Sequence, residues 1–547
     1  MFGLKSVYFY LIACQITLIK FFKKIYFASK NYNKSLESKT PQQVYYNPNP
    51  FLLSIINTYR GNSFKINDID PNIFWLENKK KDTELMHNFL WLSLIDRKTD
   101  HTKIKKIIYI WMLKNSKYKK KTWETSTLST RIISWILNID IILNNSTFDF
   151  RRNFLNCVIG QTNHLKKNIR FESNPKIKIE ILTAIILTGL VFKEYEENFN
   201  IGIKELETLI KDFFDSDGFP ISRNPNDLMF FSKYLIFCKE LIKDSQKYMP
   251  EFLQDIIDKN LNCIHYIKTP DEQLPLFNGA CVVNLNQIQK YLDEFKPNNK
   301  NNNLGGLYKI KHKNHFLIID IEKPPKKKFS KSYQSGPLSF EYFLDGIKII
   351  TNSGFGSQIS KKAEMLSRLT ACQSTLSIND TSVTKFEKSE MINKIFGNSI
   401  KDTFKSLEFF SKNENDLIGC SSSNNGYEKK FGCTHKREIY VDKANNCLKG
   451  IDHIFKANDG YPIRYVFRFH INPGLSVVKT MSGNSALIQI SKNKSLIFTI
   501  NDENLEIEKS IFLGEKKTID NTCITISGNL VNKNKTFNWE IRKNIKT

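Results

Sequence analysis

The stretch Lys296 to Ile321, KPNNKNNNLGGLYKIKHKNHFLIIDI, divides the chain in two. Its first part, Lys296 to Gly306, is polar, rich in asparagine and closed by two glycines, the composition of a linker. Its second part, Leu307 to Ile321, changes the hydrophobic period from 3.6 to 2 and reads as β-structure. Upstream, apolar residues recur at spacings of three and four in segment after segment. These are Leu85 to Asp96, Ile104 to Lys114, Ser126 to Leu143, Phe154 to Asn168, Lys178 to Phe192, Ile201 to Phe214, Asp227 to Lys243 and Glu251 to Ile267. Short polar breaks separate them, with Asp217-Gly218 and Asn224-Pro225 as turns. Consecutive helices on short loops pair antiparallel and close as a bundle, solenoid or toroid. Downstream, Leu338 to Leu344, Ile347 to Asn352, Ser374 to Ile378, Glu438 to Val441 and Arg464 to Ile471 are short β-rich runs between Gly, Asn and Asp turns. Many short strands without intervening helices make an antiparallel β-sandwich. The expected architecture is multi-domain, α then β. It has an N-terminal extension over 1–45, a helical toroid-like domain over 46–297 and a β-sandwich over 305–547.

Composition narrows the function classes. A chain of 547 residues with 41% hydrophobic and 25% charged residues is folded rather than disordered, and 23 Gly with 16 Pro exclude a collagenous chain. The net charge of +26 attracts polyanions, whether nucleic acid, anionic lipid or acidic polysaccharide. Only 12 of the 81 basic residues are Arg, however, and a Lys excess spread over the whole chain is a poor nucleic-acid signature. The ten cysteines include no C-x-x-C pair, which argues against a four-cysteine zinc site and leaves buried thiols as their expected role. Val7 to Ile19 is an apolar run flanked by Lys5 and Lys20. It is too short to span a bilayer and reads equally as a signal-peptide core or an amphipathic first helix. No later segment is apolar enough to cross a membrane, so no stable membrane span is expected.

Several segments together resemble the heparinase II/III family of polysaccharide lyases. Foremost is Ser335 to Gly354 (SGPLSFEYFLDGIKIITNSG), followed by Arg368 to Leu376 (RLTACQSTL). Supporting matches are Met86 to Leu92, Trp123 with Arg131 and Trp135, Asp217-Gly218 with Arg223-Asn224-Pro225, and Phe277-Asn278-Gly279. Gly426-Tyr427, His435-Lys436-Arg437 and Arg468-Phe469-His470 complete the set, and the order of motifs agrees over residues 80 to 475. The resemblance implies an α/α toroid followed by a β-sandwich, and cleavage of an acidic polysaccharide by β-elimination beside a uronic acid. Such chemistry needs a group to neutralise the uronate carboxylate, a base, and an acid for the leaving oxygen. The family supplies an Asn, a Tyr and one or more His, and in some members a structural zinc.

The chain departs from that set at several positions. Asn174 stands about where the neutralising Asn lies. Asp227 occupies the place of the Tyr. Tyr333, Gln334 and Ser335 stand where His residues precede the LSFE segment, Asn352 where an Asp would bind metal, and Gln373 where a His would. Amides are poor zinc ligands, so the zinc site is expected to be lost and no cofactor is expected. The expected catalytic group set is His164, Asn174, Arg223, Tyr333 and His435, with Trp123, Arg131, Asp227, Gln373 and His470 binding substrate. Each has a plainer role beside it. A lone His in a helix is more often a core or surface group. His470 and Arg468 alternate on one strand face as a structural pair, and Glu341 is expected to pair with Arg368. The expected partner is an acidic polysaccharide rather than nucleic acid, in the periplasm or cell envelope, with a cytoplasmic location as the alternative. A glycan-binding protein without catalysis, on the same fold, is the competing function.

Overall fold

The structure, a computed structural model, describes residues 4–57, 70, 71, 74, 75, 86–95, 97, 101–298, 303–457, 461–531 and 533–544. Its contacts define two units. One comprises Met1–Phe214, Phe230–Lys259 and Asn286–Tyr291, and the other Asp215–Met229, Asn260–Leu285 and Leu292–Thr547. The change of period near residue 300 therefore marks the change of local structure. Two upstream segments, 215–229 and 260–285, nevertheless belong with the strands. Tyr266 shows one reason: its hydroxyl donates to Leu307 O at 3.2 Å and accepts from Lys309 N at 2.9 Å.

The helices are α1 (Leu4–Ala28), α2 (Thr102–Asn115), α3 (Thr125–Leu137), α4 (Ile139–Leu143), α5 (Phe148–Asn168), α6 (Pro175–Val191), α7 (Glu197–Phe213), α8 (Pro225–Asp244) and α9 (Glu251–Ile267). Their ends follow local chemistry. Thr147 caps α5 by accepting from Phe150 N, and Asn174 caps α6, with Pro175 at its first position. The run Ser126 to Leu143 is two helices rather than one. Asn138 donates its amide to Ser134 O at 2.8 Å, and the chain leaves the helical region there. The run Leu85 to Asp96, whose ends lie outside the described residues, also differs from a helix. Phe89 turns left-handed, at φ 58°, and Leu90–Leu94 is a 3-10 turn.

α6 packs against α3, α5 and α7. It approaches α7 closely because Gly189 faces the Phe199 backbone, where a Cβ would collide. At the core, Trp111 and Trp135 meet edge to face at 5.2 Å, with Phe89 on both. Each such ring buries a large apolar area and adds to a core made mostly of Ile and Leu.

The strands are β1 (Asn303–Leu304), β2 (Leu307–His312), β3 (His315–Asp320), β4 (Phe340–Leu344), β5 (Ile347–Thr351), β6 (Leu376–Ile378), β7 (Ser406–Asn413), β8 (Leu417–Tyr427) and β9 (Cys433–Asp442). They continue as β10 (Cys447–Lys456), β11 (Ile463–Ile471), β12 (Ser476–Lys479), β13 (Ser485–Ser491), β14 (Lys494–Ile500), β15 (Glu506–Phe512), β16 (Ile519–Leu530) and β17 (Asn534–Lys543). One sheet runs β1-β2-β3-β4-β5-β11-β16-β15, with β6 also on β11, and the other β12-β13-β14-β17-β10-β9-β8-β7. The stretch Leu307 to Ile321 is a hairpin, β2 and β3, in register Leu307 with Asp320. The linker's end is itself structured, since Leu304 pairs with Leu307 around Gly305 and Gly306.

The two sheets enclose a continuous apolar core that includes Phe340, Phe467, Phe469, Phe498, Phe537 and Trp539. One ionic group lies inside it. Arg437 on β9 and Asp452 on β10 pair at 2.8 Å, while His435 and the Trp539 indole also donate to Asp452, at 2.7 and 2.9 Å. Arg437 reaches further, donating to Leu338 O at 2.8 Å and Ser374 O at 2.9 Å, beside β4 and β6. It thereby ties the two sheets together. Trp539 lies flat over Gly450, where any Cβ would collide with the indole. Burial works to raise the Asp452 carboxyl, but Arg437 and His435 outweigh it and hold it far below the usual range. Replacing Asp452 with Asn leaves Arg437 buried without its counter-charge and is expected to cost about 3 kcal/mol. Urea unfolding followed by Trp fluorescence measures this, and an unchanged midpoint would show that the cluster gives no net stability.

Candidate functional site

Within the β unit, three of the sequence motifs converge although they lie about 50 residues apart. They are Arg223 to Pro225, Phe277 to Gly279 and Tyr333 to Ser335, with Ser332 just ahead of the last. Asn224 donates its amide to Ser332 Oγ at 3.2 Å, and Ser332 Oγ donates to Asn278 O at 3.2 Å. Gly279 N donates to Gln334 Oε1 at 2.9 Å. Gly279, at φ 102°, has no room for a side chain beside Ser332 and Asn224.

Arg223 is the centre of this cluster. Its own backbone is left-handed, at φ 59°. Its guanidinium donates from Nε to Gly305 O, from Nη1 to Glu322 O and Lys323 O, and from Nη2 to Gly306 O and to Asp320 Oδ1. The last contact, at 2.5 Å, is a buried ion pair, and Asn278 donates to the other oxygen of Asp320 at 3.3 Å. These five contacts use all five N–H donors of the guanidinium. Burial opposes the Arg223 charge, and Asp320 more than offsets it, so the group stays protonated. Arg223 is therefore a structural clamp rather than the carboxylate binder expected from its turn position, with no donor left for a substrate. Asp320 and Ser332 were not among the expected residues. Only the acidic end of the apolar FLIID strand could have pointed to Asp320.

Tyr333 is buried beside this pair. Burial, and after it the Asp320 carboxylate, pushes its phenol well above the usual range, so it stays protonated. At 1% exposure it belongs to the sandwich core, so the catalytic role expected for it is replaced by a packing role.

The remaining expected residues fall elsewhere. His164, in the helical unit, is buried and takes a hydrogen bond from the Tyr32 hydroxyl at 2.7 Å. Trp123 is buried against it, edge to face at 5.4 Å, with its indole on Asn115 O. Arg131 is fully buried, bound to Gln161, His87 O and Thr122 O, and lies over the Trp111 ring at 4.4 Å. These contacts replace the substrate-binding roles expected for Trp123 and Arg131 with core roles. His435 is likewise in the sandwich core on Asp452, and His470 is held between Ala371 O and Ser510 Oγ, each at 3.0 Å. Asp227 accepts from Ser222 Oγ at 2.6 Å. Glu341 pairs with Lys348 at 3.2 Å and not with Arg368, because Lys348 lies across the β4–β5 hairpin. Arg368 instead serves the carbonyls of Tyr333, Asn398 and Ser330. Asn174 alone of the expected catalytic group is half-exposed. Its Oδ1 caps α6 through Lys176 N at 3.1 Å, and its amide nitrogen has no partner among the described residues.

At the positions where the family resemblance would place zinc ligands, the side chains bond to the chain itself. Gln334 Nε2 donates to Gly354 O and Ser367 O, Gln373 Nε2 donates to Ser367 O at 3.0 Å, and Asn352 Oδ1 accepts from Ser374 N at 3.0 Å. An amide N–H cannot ligate a metal; the Gln334 and Gln373 amide nitrogens are spent on carbonyls, and the Asn352 oxygen is taken by Ser374 N. Among the described residues no group of three His, Cys, Asp or Glu is placed to hold a metal ion.

An array of antiparallel helices followed by a two-sheet antiparallel sandwich defines the fold class. Residues 55–303 match the heparinase II/III N-terminus model, and residues 296–540 match the heparinase II/III-like C-terminal model. The chain belongs to the heparinase II/III family. Among solved structures, heparan sulfate lyase HepC from Pedobacter heparinus is similar with a TM-score of 0.63 at 15% identity, over 94% of this chain and 87% of that one. A heparinase III gene product gives 0.66 at 14% identity, over 94% and 89%, and another heparinase III gives 0.64 at 15%, over 84% and 76%. At these identities the likeness is one of fold, a helical toroid with a β-sandwich. No curated protein matches the sequence.

Burial lowers the pKa of both His164 and His470 to about 4, so each is neutral in the folded protein. Unfolded, each titrates near 6.5, so the unfolded chain binds more protons between pH 6.5 and 4. Their contribution to stability is complete above pH 6.5 and is lost as the pH falls through that window. At pH 5 the expected loss is roughly 2 kcal/mol per histidine. Urea midpoints at pH 7.5 and 5 check this, and His164→Gln should show a smaller drop between the two.

Proposed function

We propose that this protein is a lyase that cleaves an acidic, uronate-containing glycan by β-elimination. The observation that carries the reading is the match of both halves, in order over residues 55–540, to the two regions of the heparinase II/III family. The net charge of +26 suits a polyanionic substrate. In this reaction a base takes the proton α to the carboxylate, the electron pair forms the C4–C5 double bond, and the 4-linked oxygen leaves with a proton from an acid. Neutralising the carboxylate stabilises the intermediate charge. Asn174, with its amide N–H groups unspent, is the group suited to that task.

A second reading, glycan binding without turnover, is favoured by one observation: Arg223, His164, His435 and His470 are all spent on internal contacts. The two readings separate on a panel of uronate polymers, followed by the ultraviolet absorbance of the unsaturated product. The lyase reading expects turnover, with a raised KM and a kcat reduced about 100-fold in Asn174→Ala. No product on any polymer from folded protein would leave binding alone.

We also propose that the work is done in the cell envelope, where the apolar run Val7 to Ile19 would serve export. In the structure that run lies within α1, and no helix among the described residues is long and apolar enough to cross a membrane. N-terminal sequencing of the mature protein from a cell extract tests this. We propose further that the Gln334, Asn352 and Gln373 positions take no zinc. Elemental analysis is expected to find substoichiometric zinc, and chelation is expected to leave the melting temperature unchanged. A full zinc equivalent that chelation removes with loss of stability would refute the proposal.

A further inference from the structure

Apart from the Arg223 cluster, the β unit contains a cavity of about 570 Å³, the size of a small-ligand pocket. Its lining has two characters. Met365 and Leu369 are large apolar side chains left 48% and 37% exposed, which gives the lining an apolar side. Opposed to them is an excess of positive charge. The two acids of the lining are already neutralised, Glu387 by Lys401 at 3.1 Å and Asp380 by Arg464 at 2.9 Å. Lys385, Lys388 and Arg468 have no carboxylate partner among the described residues. Arg468 is aimed by one bond, Nη1 to Ser377 Oγ at 2.6 Å, which leaves its other donors unspent. The buried Thr384 hydroxyl, also in the lining, has no hydrogen-bond partner among the described residues. Buried polar atoms without a partner are rare in native proteins and mark a place where a ligand or water belongs.

We infer that this cavity binds a single uronate sugar unit. Arg468 and the paired lysines Lys385 and Lys388 take the carboxylate, Met365 and Leu369 cover the C–H face of the ring, and Thr384 meets a ring hydroxyl. Cationic and apolar lining together call for an organic anion with an apolar face. The choice of a uronate rests on the lyase reading above. No group in the lining is asked to do chemistry, so the cavity is a binding site and not a second active centre. The positive excess of the lining favours a carboxylate over a neutral sugar.

Calorimetric titration of the full-length protein with D-glucuronate, D-glucose and inorganic sulfate tests the inference. Glucuronate is expected to bind, with glucose and sulfate weaker by about tenfold or more. Arg468→Gln is expected to weaken glucuronate binding by a similar factor. The exposed pair Lys385→Gln and Lys388→Gln, which cannot disturb the core, provides the same test if Arg468→Gln fails to fold. Sulfate binding as tightly as glucuronate, or folded variants binding it like the parent, would overturn the inference. Polymer turnover is measured on the same samples. Glucuronate binding without turnover sinks the lyase reading alone, and turnover without glucuronate binding sinks this site alone.

Discussion

The β unit depends on the way one guanidinium is satisfied. Arg223 lies far upstream of the strands, yet four backbone carbonyls and one carboxylate from the β1–β2 turn and the end of β3 receive its five donors. A buried charge costs several kcal/mol unless it is both paired and fully hydrogen-bonded, and here both conditions are met. The glycines at 305 and 306 follow from this. Their carbonyls approach the guanidinium, and a Cβ at 306 would collide with Glu322 and crowd Arg223. The asparagine-rich stretch that looks like a free tether therefore ends in a turn whose shape is dictated by a side chain some 80 residues earlier.

The same logic explains the histidines. A neutral imidazole in a dry interior can satisfy one donor and one acceptor at little cost, whereas a charged one cannot. His470 does so between Ala371 O and the Ser510 hydroxyl, and His164 takes the phenol of Tyr32. His435 joins Arg437 and Trp539 around Asp452, where the carboxylate rather than the ring holds the charge. In each case a residue type prized for proton transfer is used as a polar strut. The amides of Gln334 and Gln373 meet at Ser367 O in the same way, so hydrogen bonds fasten the loop there.

How legible these features were depended on whether the pattern was local. Glu251 to Ile267 forms a helix with the same ends that its apolar period indicates. By contrast, Asn138 splits a run whose hydrophobic period never falters, because one side-chain amide competes for the backbone. Leu307 to Ile321 read as β-structure, but the hairpin within it needed Lys313 in a left-handed turn, a conformation that a lysine does not announce. Among site residues, the grouping of Asn224, Asn278 and Gln334 was foreshadowed by motifs. Asp320, which completes the Arg223 pair, carried no motif at all.

The sequence by itself determined the order of the two folds, the helical and sheet periods, the position where one gives way to the other, and the family, because all of these are written in near-neighbour spacing and in contiguous motifs. Only the tertiary structure decided which polar residues are free. Arg131, Arg223, His164 and His435 all looked like available chemistry in one dimension, and all bind partners 17 to 132 residues away. The reason is physical. Whether a charged or titratable group can meet a ligand depends on the unpaired donors and acceptors left after folding has satisfied its buried groups, and that is a property of contacts between distant parts of the chain.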